Sequence, residues 1–249
     1  MFSLLHLFVH RRCLVCGRRL VGTEDLLCSQ CFMQLPLAPP EYQGKAGNPI
    51  ERLFYGEIPL CRAAAYMRYQ AGADSRRVVH SLKYGGKVAA GRILGRLMAT
   101  AAAAQGFFDD ADLLLPIPLS RQRERHRGYN QSLLLAQGVA DVARLPIVDD
   151  AVERIVDNPT QTGLRGYERK ENVRGIFRLR RPERLQGRHV VLIDDVLTTG
   201  ATLISCGKEI ARAVPDVSFS VLVLGLAGRV GLGPADDDEP VASERFVVE

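Results

Sequence analysis

Val190-Val191-Leu192-Ile193-Asp194-Asp195-Val196-Leu197-Thr198-Thr199-Gly200-Ala201-Thr202 is the stretch from which the fold can be read. From His189 to Ile193 the run is almost wholly apolar, and Val-Val-Leu-Ile without a polar break predicts a strand buried on both faces. Two acids follow, then a small, hydroxyl-rich turn that opens a helix expected over 202–214, with another strand over 217–224. That is a βαβ unit of ordinary length. In open α/β sheets, ligands bind beyond the carboxyl ends of the strands. The backbone N–H groups, threonine hydroxyls and helix N-terminus at 198–202 together suit a phosphate monoester. Asp194 and Asp195 stand just before that turn, where they could accept from sugar hydroxyls or hold a hydrated Mg²⁺. Acids plus phosphate cradle on one loop point to a ribose 5-phosphate. Capping and turn formation account for Asp195, Thr198 or Thr199 singly, but not for two adjacent acids after a buried strand.

The same grammar extends upstream. Leu113-Leu114-Leu115 is a short strand ended by Pro116 and Pro118. A basic loop follows, then an amphipathic helix over 130–143 and a candidate strand over 152–156. Strands alternating with helices argue for a parallel sheet covered on both faces. Earlier still, Val78, Val79 and Leu82 make one short helical face before Gly85-Gly86, and Ile93, Leu94, Leu97, Met98 and Ala101 make a cleaner one. Residues 41–60 are punctuated by Gly and Pro and read as a linker or loop. Cys206 shares the apolar face of the 202–214 helix with Leu203 and Ile210, as a buried structural thiol would.

Cys13-x-x-Cys16 and Cys28-x-x-Cys31 lie eleven residues apart. Each pair can present two thiolates from one tight turn, and two turns complete a tetrahedral zinc site. Gly17 follows the first pair, where the chain reversal favours a residue free to take positive φ. Two disulfides, or a redox Cys-x-x-Cys, are the alternatives. Four thiolates leave no open coordination position, so a zinc here holds structure only.

The net charge of +5 is unevenly placed. Residues 118–188 hold 15 Lys+Arg against 9 Asp+Glu, whereas 189–249 hold 4 against 10. A basic stretch beside an acidic one suggests a bound polyanion, a metal-assisted site or both, or simply solvated surface. The arginines Arg121, Arg125 and Arg127 follow Pro116-Ile117-Pro118 and could pair with diphosphate oxygens or form a solvated face. Lys83 could reach a phosphate or be an exposed helical lysine, and His126 could act as a base or sit on the surface. No apolar run reaches the roughly 18–20 residues of a membrane span. The N-terminal run 2–9 has Arg11 and Arg12 behind it, the wrong charge order for a secretory signal, so the chain reads as cytoplasmic.

The segment 190–202 resembles the thirteen-residue signature of type I phosphoribosyltransferases. The resemblance implies an α/β fold, a type I phosphoribosyltransferase-like parallel sheet with flanking helices. It implies that Asp194 and Asp195, the catalytic pair, take the ribose hydroxyls of phosphoribosyl pyrophosphate, with Mg²⁺ on its pyrophosphate. It implies that Thr198, Thr199, Gly200, Ala201 and Thr202 take the 5-phosphate. Residues 121–131, including Arg121, Arg125, Arg127, Asn130 and Gln131, fall where these enzymes place their pyrophosphate loop. The loop 160–172, with Gln161, Arg169 and Asn172, falls where they carry a mobile flap.

The cysteine knuckles, Leu82-Lys83-Tyr84-Gly85-Gly86, Arg127-Gly128-Tyr129-Asn130-Gln131 and Gln161-Thr162-Gly163-Leu164 together are similar to the ComF competence family, over about residues 4–227. The expected organisation is a zinc-ribbon module over 1–40, a linker and entry segment over 41–70, a phosphoribosyltransferase-like domain over 71–232, and an acidic, disordered tail over 233–249. Nucleobase-using members build a hood for the acceptor, often from C-terminal residues, and Leu226 to Gly233 offers no recognisable acceptor pocket. Three functions follow from the resemblance. The first is phosphoribosyl transfer to an unidentified nitrogen acceptor. The second is handling of single-stranded DNA, alone or with the DNA-uptake machinery, during natural transformation. The third is nucleotide sensing without turnover.

Overall fold

The computed structural model describes residues 11–70, 73–84, 88–156 and 175–228. Its centre is a four-stranded parallel sheet built from β1 (Leu60–Tyr69), β2 (Leu113–Pro116), β5 (His189–Leu197) and β6 (Ser218–Ala227), in the order β1-β6-β5-β2. β5 is paired on both sides, Leu192 lying opposite Leu115 of β2 and Val221 of β6. Residues 190–193 are fully buried, as the unbroken apolar run requires. The pairing with β6 continues past Ile193, with Asp194 opposite Val223 and Leu197 opposite Leu226. Both acids therefore stand within the strand rather than after it.

The sheet separates two apolar layers. On one face Ala64, Val191, Ile193 and Leu222 pack with α2 (Asp74–Tyr84), α3 (Val88–Ala103) and α5 (Gln131–Ala143). On the other, Ala65, Leu115, Val190, Leu192 and Val221 pack with α6 (Ala201–Ala213). Cys206 lies in this second layer, fully buried, and burial pushes its thiol pKa up. Among the described residues, no helix is long and apolar enough to cross a membrane.

Four local expectations change. The basic stretch 121–127 is a helix, α4 (Arg121–Arg127), and not a loop. Ser120 caps it by accepting from Arg123 N–H at 3.3 Å, and Gly128 ends it at φ 80°. A run of charge has no apolar period, so nothing but its caps marks it. The candidate strand over 152–156 shortens to β3 (Val152–Arg154) and leaves the main sheet, pairing antiparallel with β4 (Phe177–Leu179).

Residues 41–60 form two short 3₁₀ turns whose Ile50 and Phe54 are fully buried under α6. Asn48 there donates to Ala63 O at 2.7 Å, and buried Glu51 accepts from Gly47 N–H at 3.0 Å. Leu60–Tyr69, within the expected linker, is sheet strand β1. Its Ala-rich centre carries little strand propensity, and the pairing with β6 supplies what propensity does not.

The four cysteines converge at the N-terminus. Gly17 turns the first knuckle at φ 73°, and Cys28 caps α1 (Ser29–Met33). All four sulfurs lie within 4.8 Å of one another, and Cys16 Sγ is 3.8 Å from Cys28 Sγ. Tetrahedral Zn–S bonds of about 2.3 Å require sulfur–sulfur separations of about 3.8 Å, so the cluster fits a structural zinc. Burial opposes the Cys13 thiolate, but backbone N–H groups of Cys16, Cys28 and Val15 outweigh it and bring its pKa to about 6. The module is not a separate bead. Val15, Leu20, Leu26, Leu27 and Leu35 share the apolar layer with Val78, Leu94 and Met98, and Arg77 donates to Val15 O at 3.1 Å.

α3 and α5 touch backbone to backbone through Gly95 and Gly138, and Gly91 lies against the Leu134 side chain. A Cβ on Gly95 would meet Leu135 O at 2.1 Å, and one on Gly138 would meet Arg92 O at 2.0 Å. Asp141 of α5 locks the pair from outside by accepting from Arg92 and Arg96 of α3, at 2.6–2.7 Å.

Two outcomes are expected. Gly95→Ala gains up to about 1 kcal/mol of helix propensity, yet the overpacking should leave the chain at least about 2 kcal/mol less stable in urea titration. Elemental analysis should find about one zinc per chain, lost on Cys13→Ser together with thermal stability. Metal-free protein of unchanged melting temperature would refute the structural zinc.

Candidate functional site

Parallel pairing aligns the carboxyl ends of β2 and β5, so Pro116-Ile117 and Asp194-Asp195 arrive at one edge, joined by Ile117 N–H donating to Ile193 O at 2.9 Å. The N-terminus of α5 closes over that edge. Ser132 Oγ donates to Asp194 Oδ1 at 3.0 Å, and Asp195 N–H donates to the same oxygen at 2.9 Å. On the other acid, Gln131 Nε2 approaches Asp195 Oδ2 at 3.5 Å and Lys83 Nζ reaches it at 3.0 Å. Asp195 is only 6% exposed, and this lysine, at the end of α2 and itself partly exposed, is its counter-ion.

Two carboxylates face one ammonium. Burial lifts the Asp194 pKa, the neighbouring Asp195 charge adds to it, and the Asp195 N–H and Ser132 donors with the Lys83 charge only partly offset them, leaving it at about 7. Above about pH 7 the strand end thus carries negative charge in excess of its fixed cation. That excess fits sugar hydroxyl donors or the hydrated Mg²⁺ that accompanies a diphosphate.

The turn after β5 forms the other half. Gly200 takes φ 78° and stands at the N-cap of α6 without a side-chain cap. The helix's first N–H groups therefore find no side-chain acceptor at that position. Any Cβ on Gly200 would be strained and would press on Ile204 at 3.3 Å. Thr198 and Thr199 are exposed, and Asp194, Thr198, Thr199, Gly200, Ala201 and Thr202 line a concavity of about 190 Å³. Its size and donor set suit one phosphate group.

The expected pyrophosphate segment divides. Arg127 turns towards the acids, donating to Gln131 Oε1 at 2.9 Å, which orients the amide facing Asp195. Arg121 instead pairs with Glu153 of β3 at 2.9 Å, and Arg125 is exposed on α4, as is His126. Asn130 builds the loop: its Oδ1 accepts from Ser132 N–H at 3.0 Å and its Nδ2 donates to Ile117 O at 3.0 Å. Tyr129 Oη donates to Leu82 O at 2.8 Å, tying that loop to α2 beside Lys83. Gln161, Arg169 and Asn172 lie outside the described residues, as does the tail over 233–249.

Ser132 was not among the residues singled out from sequence. The only signal for it was its place two residues after a capping Asn, on the first turn of a helix facing the acid strand.

A phosphoribosyl transferase domain model matches residues 129–239. The DNA utilization protein YhgH of Escherichia coli (strain K12) is 30% identical over 203 residues, covering 80% of this chain and 84% of that protein. Competence protein F of Haemophilus influenzae is 27% identical over 236 residues, covering 88% and 98%. Competence protein ComFC of Bacillus subtilis is 34% identical over 113 residues, 44% of each chain. With its acid pair and glycine turn at the end of a parallel strand and a four-cysteine cluster ahead of them, the chain belongs to the ComF/YhgH family of phosphoribosyltransferase-domain proteins.

Proposed function

We propose that the chain binds phosphoribosyl pyrophosphate with Mg²⁺ and transfers its phosphoribosyl group to a nitrogen acceptor. The observation that carries this reading is the juxtaposition, on one strand end, of an under-neutralised acid pair and a concavity sized for one phosphate. In this reading Asp194 and Asp195 accept from the ribose hydroxyls, and residues 198–202 hold the 5-phosphate. The Mg²⁺, held through water near the acids, would supply charge neutralisation to the pyrophosphate. Arg127, which bonds Gln131 beside Asp195, would be the arginine nearest the diphosphate, while Arg121 would have to leave Glu153 to join it. The C1–O bond to pyrophosphate breaks, a C1–N bond forms, and the nitrogen releases its proton. The protein's task is to stabilise a positively charged ring and a departing polyanion, for which fixed carboxylates and nearby cations are suited.

A second reading rests on the basic surface of α4 and the adjoining hairpin, where Arg121, Arg125, Arg178 and Arg181 are exposed. The relatives named for competence and DNA utilization give it context. There the arginines would contact the phosphates of single-stranded DNA in the cytoplasm, independently of the acid pair.

Calorimetric titration of phosphoribosyl pyrophosphate with Mg²⁺ tests the first reading. Asp195→Ala should weaken binding by about 1.5–3 kcal/mol, roughly ten- to a hundredfold. Below about pH 7 the free protein holds a proton on Asp194 that hydroxyl donation to the carboxylate must expel. Affinity is therefore full above that pH and should fall by up to about tenfold per unit below it. Asp194→Asn should remove this part of the slope, and wild type that binds no ligand at any pH would end the reading. For the second reading, single-stranded DNA affinity should fall steeply with salt and survive Asp195→Ala, whereas a flat salt response would dismiss it.

A further inference from the structure

The phosphate turn has a second side. Thr199 and Ala201 line the concavity at the acid pair, and the same two residues form the near wall of a larger cavity of about 490 Å³ on the outer flank of α6. Ile204 of α6 gives this cavity an apolar wall, with only the edge of Phe177 of β4, 3% exposed, reaching it. Glu57 and Glu209 add carboxylates, and Lys208 and Arg212 add cations. These charges pair as Lys208–Glu57 and Arg212–Glu209, the second at 3.2 Å. The Lys208 and Arg212 side chains are more than half exposed, so the pairs are screened by solvent and rearrange at little cost.

We propose that this cavity receives a second nucleoside joined through the 5-phosphate. The ligand class is a ribose 5-phosphate linked by an anhydride to a purine nucleoside phosphate, as in ADP-ribose. The inference rests on the ribose-phosphate reading above and adds what lies beyond the phosphate. A monoester ends at the turn. An anhydride-linked phosphate continues from it, and the shared wall of Thr199 and Ala201 directs the continuation into the cavity.

The wall chemistry matches the parts such a ligand would bring. A second phosphate finds Lys208 and Arg212. A flat heteroaromatic ring finds Ile204 and the methylene stems of Lys208 and Arg212, and an exocyclic amino group finds the Glu57 or Glu209 carboxylate. The volume lies within the range of cavities that enclose small molecules of this size.

Calorimetry with ribose 5-phosphate and ADP-ribose, each with Mg²⁺, tests the proposal on the full chain. ADP-ribose should bind at least about tenfold more tightly than ribose 5-phosphate. Ser205→Trp fills the cavity from α6, and Arg212→Glu reverses a charge that is largely exposed and tolerant of change. Each should cost ADP-ribose about tenfold in affinity while leaving ribose 5-phosphate within about twofold of wild type. Should Ser205→Trp fail to fold, Arg212→Glu decides alone. If ribose 5-phosphate binds and ADP-ribose gains nothing over it, or if both variants affect the two ligands alike, the second-nucleoside site is overturned and the ribose-phosphate reading stands. If neither ligand binds the wild type, the ribose-phosphate reading falls and this inference falls with it.

Discussion

The structure depends on the burial of β5. A strand hydrogen-bonded to parallel partners on both sides, with helices over both faces, must be apolar throughout its covered length. Polar groups can enter only where the cover ends. Val190 to Ile193 obey this, and Asp194 and Asp195 come at the first positions where α5 presents hydroxyl and amide donors in place of an apolar face. An isolated ionised carboxylate in that place would be costly. One lysine, one serine and one glutamine reduce the cost without removing it, and the residue is the raised Asp194 pKa.

What holds those donors in place lies well away from the acids. α5 presents Gln131 and Ser132 at the right height because Gly138 lets it approach α3 to backbone contact, and the Arg92–Asp141–Arg96 clamp fixes that crossing. Lys83 is set by α2, whose Val78 and Leu82 share an apolar layer with the cysteine module. The site is therefore supported by packing that reaches to the cysteine cluster. A single core on each side of the sheet does the work that separate domains would otherwise divide.

The sequence made β5, the phosphate turn, α6 and the cysteine cluster legible because each rests on a local rule: an unbroken apolar run, a glycine where φ is positive, two short thiol spacings. The parts it hid depend on distant neighbours. β1 is an Ala-rich strand made by its pairing with β6, and α4 is a helix with no apolar period. The 3₁₀ turns around Ile50 and Phe54 read as a linker because they carry no regular spacing, although both side chains are fully buried. At the candidate site, the residue types at 194–202 drew attention to the strand end and its turn. The Lys83–Asp195 pair, the Ser132 contact and the structural use of Asn130 depend on where helices cross, which no short window of residues encodes.

The exit from the cysteine module has a role beyond joining it to the sheet. β1 is an edge strand, and residues 36–38 lie against it, with Ala38 N–H donating to Tyr66 O at 2.9 Å and Arg68 N–H donating to Pro36 O at 2.7 Å. Edges left open invite another chain to add itself. A fragment trimmed to start after the module would lose those bonds and bare the layer beneath Leu27 and Leu35. It would carry a sticky border in place of a finished one, so the module also serves to keep each molecule from zipping onto its neighbour.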